Sequence, residues 1–559
     1  MKRKIGMAIV SMALVVSMSA CGNSAALPAT EASTEVKTDT EQTHFNITGG
    51  QSALSPGYAD NEVLNKMMEE AGIEIDWNTQ ASDPNASDDP LKQQVNIQIA
   101  GGDLPDAYMG VGFKNYELSN YGGDGTFIDL TPYITEDVMP NLTKILEEHP
   151  EIKAAITMDD GCIYGLPAGE QMGTAGIGKE EDYSIFTVPQ FSMINKAWLD
   201  DLGLEVPTTL EQLHDVLVAF KENDMAAKMY GAAPGSTIPM STGFDQWCWG
   251  QNIFYSGFGF TNWINDVCND LVLDKDGKAN FVCDDDNYRD ALTYFSDWYK
   301  EGLMDPEMFS QDTTQLMAKC QQGYVGVSTL WYIEELMGDY SKDYVFLPVL
   351  TGPDGSSNVT VRTGGATNSG NLSITSACKS PVNLLKFFDL WYQGENVMQL
   401  QYGPIGVYFK EKDANGVWNS ITDEQSREEY GKSAGELKGY YEVNGPKLIL
   451  SHYYKDTFNM EDRAIERLTD LYDFWMPQVK DTSTYPIDCV FTSEELETID
   501  MYKTDFENTV AEQEGLWLKE GGPSDEEWAA YKDKLTNSCG MEELLKIYQD
   551  AYDRYAAAK

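Results

Sequence analysis

Strand-like and helix-like patterns alternate in the first part of the chain, and this alternation restricts the fold more than any other feature. Residues 44–48 alternate in hydrophobicity like a strand, 60–72 have the period of a helix, and 73–77 again resemble a strand. A second helical pattern over 91–100 and a short apolar strand over 107–109 follow. This order predicts a parallel sheet with crossover helices.

The carboxyl ends of these strands identify candidate ligand contacts, because ligands of such sheets bind there. The loops concerned are 49–57, 80–83 and 111–116. The chain has 559 residues, too many for one small core, so we expect two or more lobes. Its net charge of −51 would repel phosphates, and we therefore expect no nucleic-acid partner.

The N-terminus has the pattern of a signal peptide. Basic residues 2–4 precede the apolar run 5–18, which is shorter than the roughly 20 residues of a transmembrane helix. Small residues before Cys21 resemble the lipobox of bacterial lipoproteins, although Leu is commoner than Met18 at its first position. Cys21 is then the lipid anchor to the outer face of the cell membrane. Alternatively, an ordinary signal peptide is cut elsewhere and Cys21 is incidental.

Residues 21–43 are predicted to be a flexible tether between the signal peptide, residues 1–20, and the folded body. The stretch is rich in Ala, Ser, Thr and Glu and has no apolar period. Eight further cysteines form no CxxC pair and histidines number four in the whole chain, so we expect no zinc site. Those cysteines are either paired in disulfides or free and buried.

A calcium site is also not expected, and neither is a cofactor. Residues 274–277 (DKDG) resemble the start of an EF-hand loop, but Asp285 stands where the loop needs a Glu. The Asp-Gly pair instead predicts a hairpin turn. The segment after Glu222 cannot supply alternating oxygen ligands.

Eight stretches, in order, resemble the family 1 extracellular solute-binding proteins, the sugar- and oligosaccharide-binding class of ABC importers. The last two resemble the large Gram-positive lipoprotein branch. The stretches are AGGDLPDAYM (100–109), FIDLTPYI (127–134), GCIYGLP (161–167), MINKAWLDDLGLEVPTTLEQLHDVLVAFKE (193–222), DALTYFSDWYKEGLMDPEMF (290–309), QQGYVGVSTLWY (321–332), SPVNLLKFFDLWYQGENVMQLQYGPIGVYF (380–409) and WAAYKDKLTNSCGMEELLKIYQDAYDRY (528–555).

The resemblance implies a two-lobed α/β fold of the periplasmic-binding-protein type. Each lobe would be a mainly parallel sheet flanked by helices, with a hinge of crossing strands and a ligand cleft between the lobes. Lobe 1 would hold 44–167 and 348–404, and lobe 2 would hold 168–347 and 405–559. The chain would cross near 165–170, 345–350 and 402–406. The partners implied are a carbohydrate, in particular an oligosaccharide, and the permease subunits of an ABC importer.

Aromatic side chains are the first candidates for contact with such a ligand, because their faces stack on the C–H patches of sugars. Trp247 and Trp249 lie in a loop-like stretch between glycines, and Trp263 lies in a further loop-like stretch. Trp331 follows an apolar strand where the family places a ligand-facing residue. Trp391 precedes the last crossing. Alternatively, each of these tryptophans is a residue of the hydrophobic core.

Polar candidates supply hydrogen bonds. Tyr402 and Glu170 lie at crossings, and Asp106 precedes a strand, where it either caps a turn or faces ligand. Arg362 lies shortly before two consecutive glycines. Its guanidinium either binds a uronate carboxylate of a ligand or forms an ion pair with one of the 90 Asp and Glu residues of the chain.

Two other function classes remain open. A secreted glycoside hydrolase needs a pair of carboxylates across its cleft. The presence of such pairs does not distinguish this class, because so acidic a chain contains many of them. A surface glycan-binding or structural lipoprotein would usually show repeats, and we find none. We expect a binding protein and no enzyme.

Overall fold

A computed structural model of the protein describes residues 41–82, 89–170, 188, 190–263, 267–330, 333–362, 367–459, 462–479, 482–486, 489 and 491–558. The described strands are β1 (His44–Gln51), β2 (Glu74–Ala81), β3 (Ala107–Met109), β4 (Leu166–Glu170), β5 (Ser192–Asn195), β6 (Ile238–Met240), β7 (Leu271–Asp274), β8 (Ala279–Phe281), β9 (Val325–Thr329), β10 (Tyr344–Phe346), β11 (Asn368–Ile374), β12 (Phe409–Lys412), β13 (Trp418–Ser420), β14 (Leu448–Ile449) and β15 (Thr482–Thr484).

The described α-helices are α1 (Glu62–Ala71), α2 (Pro90–Gly101), α3 (Asn115–Gly123), α4 (Pro140–Glu148), α5 (Pro150–Ile156), α6 (Lys196–Leu202), α7 (Leu210–Glu222), α8 (Met225–Tyr230), α9 (Asp286–Lys300), α10 (Thr313–Gln321), α11 (Ile333–Met337), α12 (Pro381–Asp389), α13 (Gly394–Tyr402), α14 (Asp423–Tyr430), α15 (Ala434–Tyr441), α16 (Tyr453–Asp456), α17 (Asp462–Asp470), α18 (Ser493–Glu520), α19 (Asp525–Asn537) and α20 (Met541–Ala558).

The first sheet contains six strands in the order β14-β4-β11-β3-β1-β2. β1 runs parallel to β2 and to β3, as the alternating pattern predicts. Asn61 caps α1 and Asp89 caps α2, and both helices end at a glycine in the left-handed conformation, Gly72 and Gly102. The predicted order of strand, helix, strand, helix and strand is confirmed.

Side chains of this sheet enter cores on both of its faces. Ala107 and Met109 of β3 belong to the core that also holds Phe45 and Ile47, whereas Tyr108 belongs to the core on the opposite face. Successive residues of a strand point to opposite sides, which accounts for this division. Burial on both faces holds the sheet rigid, so that the loops at its carboxyl edge start from fixed positions.

The second sheet contains four strands in the order β10-β5-β9-β6. β5 runs antiparallel to both β9 and β10, and only β6 and β9 are parallel. This sheet therefore differs from the mainly parallel one that we expected for the second lobe. A run of buried residues marks a strand but carries no information about its direction.

Helix α7 packs beside this sheet and begins with a hydroxyl cap at Thr209. The Thr209 hydroxyl accepts a hydrogen bond from the Gln212 backbone N–H at 3.1 Å, and the Gln212 side chain accepts one from the Thr208 N–H at 2.9 Å. Leu213 and Leu217 are fully buried on one face. The helix therefore buries an apolar face and keeps a polar start.

A small third sheet, β15-β7-β8, contacts the C-terminal helices. The β7–β8 turn is the Asp-Gly hairpin that the sequence predicts. The Asp274 carboxylate accepts backbone hydrogen bonds from Asp276 and Lys278, both at 2.9 Å, and Gly277 has a φ of +77°. The Asp274 carboxylate therefore stabilises the turn.

Two segments pack beside the sheet opposite to the one that the resemblance implies for them. Residues 348–404 were assigned to the first lobe, yet Val359 packs in the core around the second sheet. Residues 405–559 were assigned to the second lobe, yet β14 pairs with β4, and Val443 packs in the core of the first sheet. A two-residue strand has no period that a sequence pattern can reveal.

Two further features concern cellular location. None of the described helices combines the length and apolar character that a bilayer crossing requires. The eight described cysteines are free thiols, and seven of them are buried; Cys162 is partly exposed.

Candidate functional site

A cavity of about 1140 Å³ is bounded by elements of both halves of the molecule. Its lining includes the loop after β1, helices α10 and α11 beside the second sheet, and helices α14 and α15. The lining residues are Leu54, Met317, Gln321, Glu334, Glu335, Gly338, Asp339, Ser341, Lys342, Tyr402, Asp423, Arg427, Ser433, Gly435, Glu436, Lys438 and Ala464. Pockets for drug-sized ligands measure about 300–1,000 Å³, so this cavity has room for more than a monosaccharide.

The loop after β1 brings an apolar side chain to the cavity. A Cβ at Gly50 would lie 2.7 Å from the Gly110 carbonyl oxygen, so glycine permits this close approach. The Tyr58 hydroxyl donates to the Gly50 carbonyl at 3.0 Å and accepts from the Asn444 N–H at 2.8 Å. Leu54, at the cavity, keeps 56% of its surface exposed. This loop is one of the three that the strand order singled out.

Another of those loops leads into α3 and approaches the second half of the molecule. Burial, together with the charges of Glu117 and Asp500, raises the pKa of Tyr116 to about 12. Asp500 belongs to α18, so α3 and α18 lie close together. Met501, its neighbour, is 66% exposed.

An aromatic loop, residues 243–250, lies at the carboxyl edge of the second sheet. It follows β6, and the hydroxyl of Thr329, the last residue of β9, donates to the Gly250 carbonyl at 2.9 Å. The buried Gln190 amide donates to the carbonyl of Trp247 at 3.1 Å. Trp247 and Trp249 are half-buried, so part of each ring remains available for a ligand.

Buried acids lie behind this loop. The Glu514 carboxylate accepts hydrogen bonds from the hydroxyls of Tyr255 at 2.5 Å and Tyr288 at 2.7 Å, and from the Gln251 amide at 3.2 Å. Gln251 also donates to Asp245 at 3.0 Å. Burial raises the pKa of Glu514 despite these donors. The network ties the aromatic loop to α9 and α18.

Asp270 extends this acidic group. Burial, then the charge of Glu514, raises the pKa of Asp270 well above its usual value, and the same two causes act on Asp245. The Oδ1 atom of Asp270 has no hydrogen-bond partner among the described residues. Within those residues, no three or more His, Cys, Asp or Glu side chains form a group that could hold a metal ion. The expectation of no metal stays a prediction.

Glu170 ends β4 at the predicted first crossing, where it binds other side chains of the protein. Its Oε1 accepts from the hydroxyls of Tyr402, at 3.0 Å, and Tyr454, and its Oε2 accepts from the Gln401 amide at 3.2 Å. The two predicted candidates Glu170 and Tyr402 thus form one hydrogen-bonded group. Tyr402 also lines the cavity.

A buried lysine lies near this group. Lys447 donates to the Val443 carbonyl at 2.5 Å, and burial lowers the pKa of its ammonium. The negative charges of Glu442 and Glu170 act in the opposite direction. Charged groups of opposite sign therefore stabilise each other beside the crossing.

Asp106 lies at the edge of the sheet opposite the carboxyl ends. It precedes β3, and its carboxylate accepts from the Asn46 N–H at 2.8 Å and from the Gln42 side chain at 2.9 Å. The structure therefore supports the capping role for Asp106, because the ligand loops follow the strands and Asp106 comes before one.

Two tryptophan candidates are core residues in the structure. Trp391 has no exposed surface and packs against Phe387 and Phe388. Trp263 is 2% exposed and its indole N–H donates to the Thr360 carbonyl. Neither ring presents a face to solvent, in contrast to Trp247 and Trp249.

The remaining candidates are not brought together. Arg362 is half-buried beside Val361, which pairs with Ser483, and it does not line the described cavity. Trp331 lies outside the described residues.

Sequence reasoning missed the charged wall of the cavity. Arg427 and Lys438 come from α14 and α15, whose Thr422 and Ser433 capping boxes signal helices. No sequence signal shows that these two helices border a cavity, because that depends on how residues distant in sequence pack.

Comparisons with known proteins agree with this architecture. No protein-family model matches the sequence. The chain is 32% identical over 515 residues to the fructooligosaccharide ABC transporter substrate-binding protein FusA of Streptococcus pneumoniae, covering 91% of this chain and 90% of FusA. It is 24% identical over 336 residues to the polygalacturonan/rhamnogalacturonan-binding protein YtcQ of Bacillus subtilis, covering 57% and 59%.

A solved structure matches as well. The S. pneumoniae FusA complex with kestose superposes with a TM-score of 0.81 at 30% identity, covering 92% of this chain and all of that one. The predicted two-lobed solute-binding fold is confirmed. The chain belongs to the family of substrate-binding proteins of carbohydrate ABC transporters.

Proposed function

We propose that this protein captures a short oligosaccharide between its two lobes and delivers it to the permease of an ABC importer. One observation carries this proposal: a cavity of about 1140 Å³ is lined from both halves of a chain that resembles FusA over 91% of its length. Similarity to FusA supports a fructan-type ligand. The name of YtcQ raises acidic glycans as the other candidate class.

A sugar requires two kinds of contact, and the aromatic loop offers one of them while the cavity lining offers the other. The half-buried rings of Trp247 and Trp249, which belong to the aromatic loop and not to the described cavity lining, can stack on C–H patches. Leu54 adds an exposed apolar surface from the other half. Amides, hydroxyls and carboxylates around the cavity supply hydrogen bonds, which fix orientation and selectivity.

The two lobes enclose the ligand by rotating about the crossings. The first lobe is built around the six-stranded sheet and the second around the four-stranded sheet, and Glu170 lies where the chain leaves the first. Residues 44–170 supply most of the first lobe, and 190–347 supply most of the second. Closure of this kind is the usual hinge motion of binding proteins.

The protein releases its ligand unchanged. Its relatives FusA and YtcQ are named as binding proteins, and this supports binding without catalysis. A glycoside hydrolase would need an acid and a second carboxylate placed across a bound sugar. Asp270 and Glu514, the two acids behind the aromatic loop, are buried in the protein and not exposed to a cleft.

Cys21 anchors the mature protein to the outer face of the membrane, and residues 22–43 form most of the tether. Gln42 supports this arrangement, because it ties the beginning of the body to the first lobe. Its side chain accepts from the backbone N–H of Lys379 at 2.8 Å and of Ser380 at 3.2 Å. Asn383 donates to its carbonyl at 2.9 Å.

Titration calorimetry of the purified protein tests the proposed function. We expect kestose to bind, and fructose and maltotriose to bind much more weakly or not at all. Chromatography of the recovered ligand should show it intact. A shortened product would point to a hydrolase, and failure of every oligosaccharide in a broad glycan panel would contradict the proposal.

A further inference from the structure

The cavity has a negatively charged wall. Five carboxylates line it against three cationic side chains, which gives the lining a net charge of −2. The acids are Glu334, Glu335, Asp339, Asp423 and Glu436, and the cations are Lys342, Arg427 and Lys438. The whole chain, with its net charge of −51, adds to the same field.

Arg427 is the only arginine among the described lining residues, and acids surround it. Its Nε donates to Asp423 Oδ2 at 2.8 Å. The charges of Glu436 and Asp339 act on it as well, and together with Asp423 they raise its pKa. A guanidinium in this setting already has its counter-charge, so it has little attraction left for a carboxylate on a ligand.

Lys438 also interacts with another side chain of the protein. Its ammonium lies 4.9 Å from the centre of the Tyr402 ring, within the range of a cation–π interaction. On the opposite wall, Glu334, Glu335 and Asp339 are exposed side chains of α11 and of the 3-10 helix Gly338–Asp343. Arg427 and Lys438 therefore interact with groups of the protein itself, whereas the three exposed acids share their wall with one cation, Lys342.

We propose that this site selects uncharged oligosaccharides and rejects uronates, through the acidic lining of its cavity. The inference rests on the proposed function and specifies its ligand class. A polyuronate carries a negative charge on each sugar, so each residue that enters the cavity is repelled. An uncharged fructan meets no such barrier, and its hydroxyls can donate hydrogen bonds to the same carboxylates.

The test uses one oligosaccharide in two forms that differ only in charge. A neutral oligosaccharide that binds, kestose in the first instance, is oxidised at a primary hydroxyl to the carboxylate, and part of this product is converted to the primary amide. The amide has nearly the same size and shape. At low salt we expect the carboxylate to bind at least tenfold more weakly than the amide. The gap should narrow with salt, because the Debye length falls to about 8 Å at physiological ionic strength.

A pair of variants separates the cavity from the overall charge of the chain. Glu334→Gln with Asp339→Asn neutralises two exposed acids of the lining, and neither side chain hydrogen-bonds to another residue in the described part of the chain. Glu69→Gln with Glu70→Gln makes the same change of charge on exposed positions of α1. We expect the cavity variant, but not the control, to bring the affinities of the two derivatives several-fold closer.

The possible results separately test charge selection, its assignment to the cavity, and oligosaccharide binding itself. Equal or tighter binding of the carboxylate by the unchanged protein overturns charge selection while leaving oligosaccharide capture intact. An equal effect of both variant pairs overturns the assignment of selection to the cavity. Failure of all neutral and acidic oligosaccharides to bind overturns the proposed function itself, and the inference with it.

Discussion

At the scale of single residues, exposure separates the tryptophans that can meet a ligand from those that hold the fold. Trp247 is half-buried at the edge of the second sheet, whereas Trp391 is completely buried between Phe387 and Phe388. The two residues are similar in sequence context, since both lie among aromatic and polar neighbours. Their mutations should therefore have different consequences.

Replacement by alanine makes this difference measurable. We expect Trp247→Ala to weaken ligand binding by about 1–3 kcal/mol, since an aromatic anchor is lost, with a smaller change in the melting of the free protein. Trp331→Ala should behave in the same way. Trp391→Ala should instead cost about 3–5 kcal/mol of unfolding free energy, as for other large buried side chains. Calorimetry and thermal melts measure both quantities.

The reverse pattern would contradict the assignment. If Trp247→Ala lowered the melting temperature as much as Trp391→Ala and left affinity unchanged, the aromatic loop would be part of the core. A conservative Trp247→Phe variant, which retains a ring face, should recover part of the affinity.

The part of this site that could be predicted from the sequence depends on local features of the chain. The loops after β1 and β3 were identified because strand order alone determines where carboxyl ends lie. Asp106 and Trp391 were candidates because their residue types suit sugar binding, but residue type does not reveal burial. Arg427 was missed because its place at the cavity depends on long-range packing.

At the scale of elements, the end of β4 and helices α13 and α16 meet through Glu170. Its carboxylate accepts from Tyr402, Tyr454 and Gln401, and these contacts cross the predicted hinge. A carboxylate with several donors is a stronger acceptor than a neutral amide. The group should therefore hold the crossing in a defined geometry.

Glu170→Gln should weaken this junction. An amide keeps the shape but turns one acceptor into a donor that faces hydroxyl groups or Gln401. We expect a loss of about 1–3 kcal/mol in unfolding free energy, typical of a hydrogen bond to a charged group, and a change in ligand affinity as the hinge loosens. Chemical denaturation and calorimetry measure the two effects.

Tyr392→Phe is the matched control for this prediction. Its buried hydroxyl donates to the Pro167 carbonyl at 2.8 Å, a neutral bond within the first lobe. Its loss should cost about 0.5–1.5 kcal/mol and leave affinity unchanged. If Glu170→Gln had the same profile as Tyr392→Phe, Glu170 would have no special role at the hinge.

Elements with strong local signals were also the ones that the sequence predicted. α1 and α2 each have a polar N-cap and a terminal glycine, and α1 has an amphipathic face, all of which are local. The direction of β5 and the pairing of β14 with β4 were not predicted. Both depend on contacts between segments that are far apart in the chain, and no local period encodes them.

At the scale of the whole molecule, buried acids predict an unusual dependence of stability on pH. Burial raises the pKa of Asp270 and Glu514, and it raises the pKa of Asp470 to about 6. The folded protein thus holds protons that the unfolded chain releases above about pH 4. This contribution to stability is complete below the unfolded pKa and is lost as the pH rises through the folded one.

We therefore expect the melting temperature to be a few degrees higher at pH 5.5 than at pH 7.5. Glu514→Gln should reduce this difference, because the amide does not titrate and still accepts hydrogen bonds. Glu512→Gln, at an exposed position of the same helix, should leave it unchanged. A melting temperature that rises steadily from pH 5.5 to 7.5 would show that groups with lowered pKa dominate instead.

Attachment to the cell is tested by Cys21→Ala. Without the thiol no lipid can be added, so the protein should appear in the medium or remain unprocessed. Cys162→Ala, at a partly exposed thiol of the folded body, should leave the protein in the membrane fraction. Cell fractionation with immunoblotting gives the answer, and a Cys21→Ala protein that stays processed and membrane-bound would contradict the anchor.

The last prediction concerns the shape of the whole molecule on binding. The two lobes have separate cores around separate sheets, and strand β4, which ends at Glu170, leads from one lobe to the other. This arrangement allows the lobes to rotate as rigid bodies. A ligand that contacts Leu54 from one half and Trp247 from the other gains both contacts only when the lobes approach. X-ray scattering should therefore show a smaller radius of gyration at saturating kestose, moving toward the value of about 24 Å for a compact chain of this length. Maltotriose should cause no change, and an unchanged radius at full kestose occupancy would mean that the ligand binds without closure of the lobes.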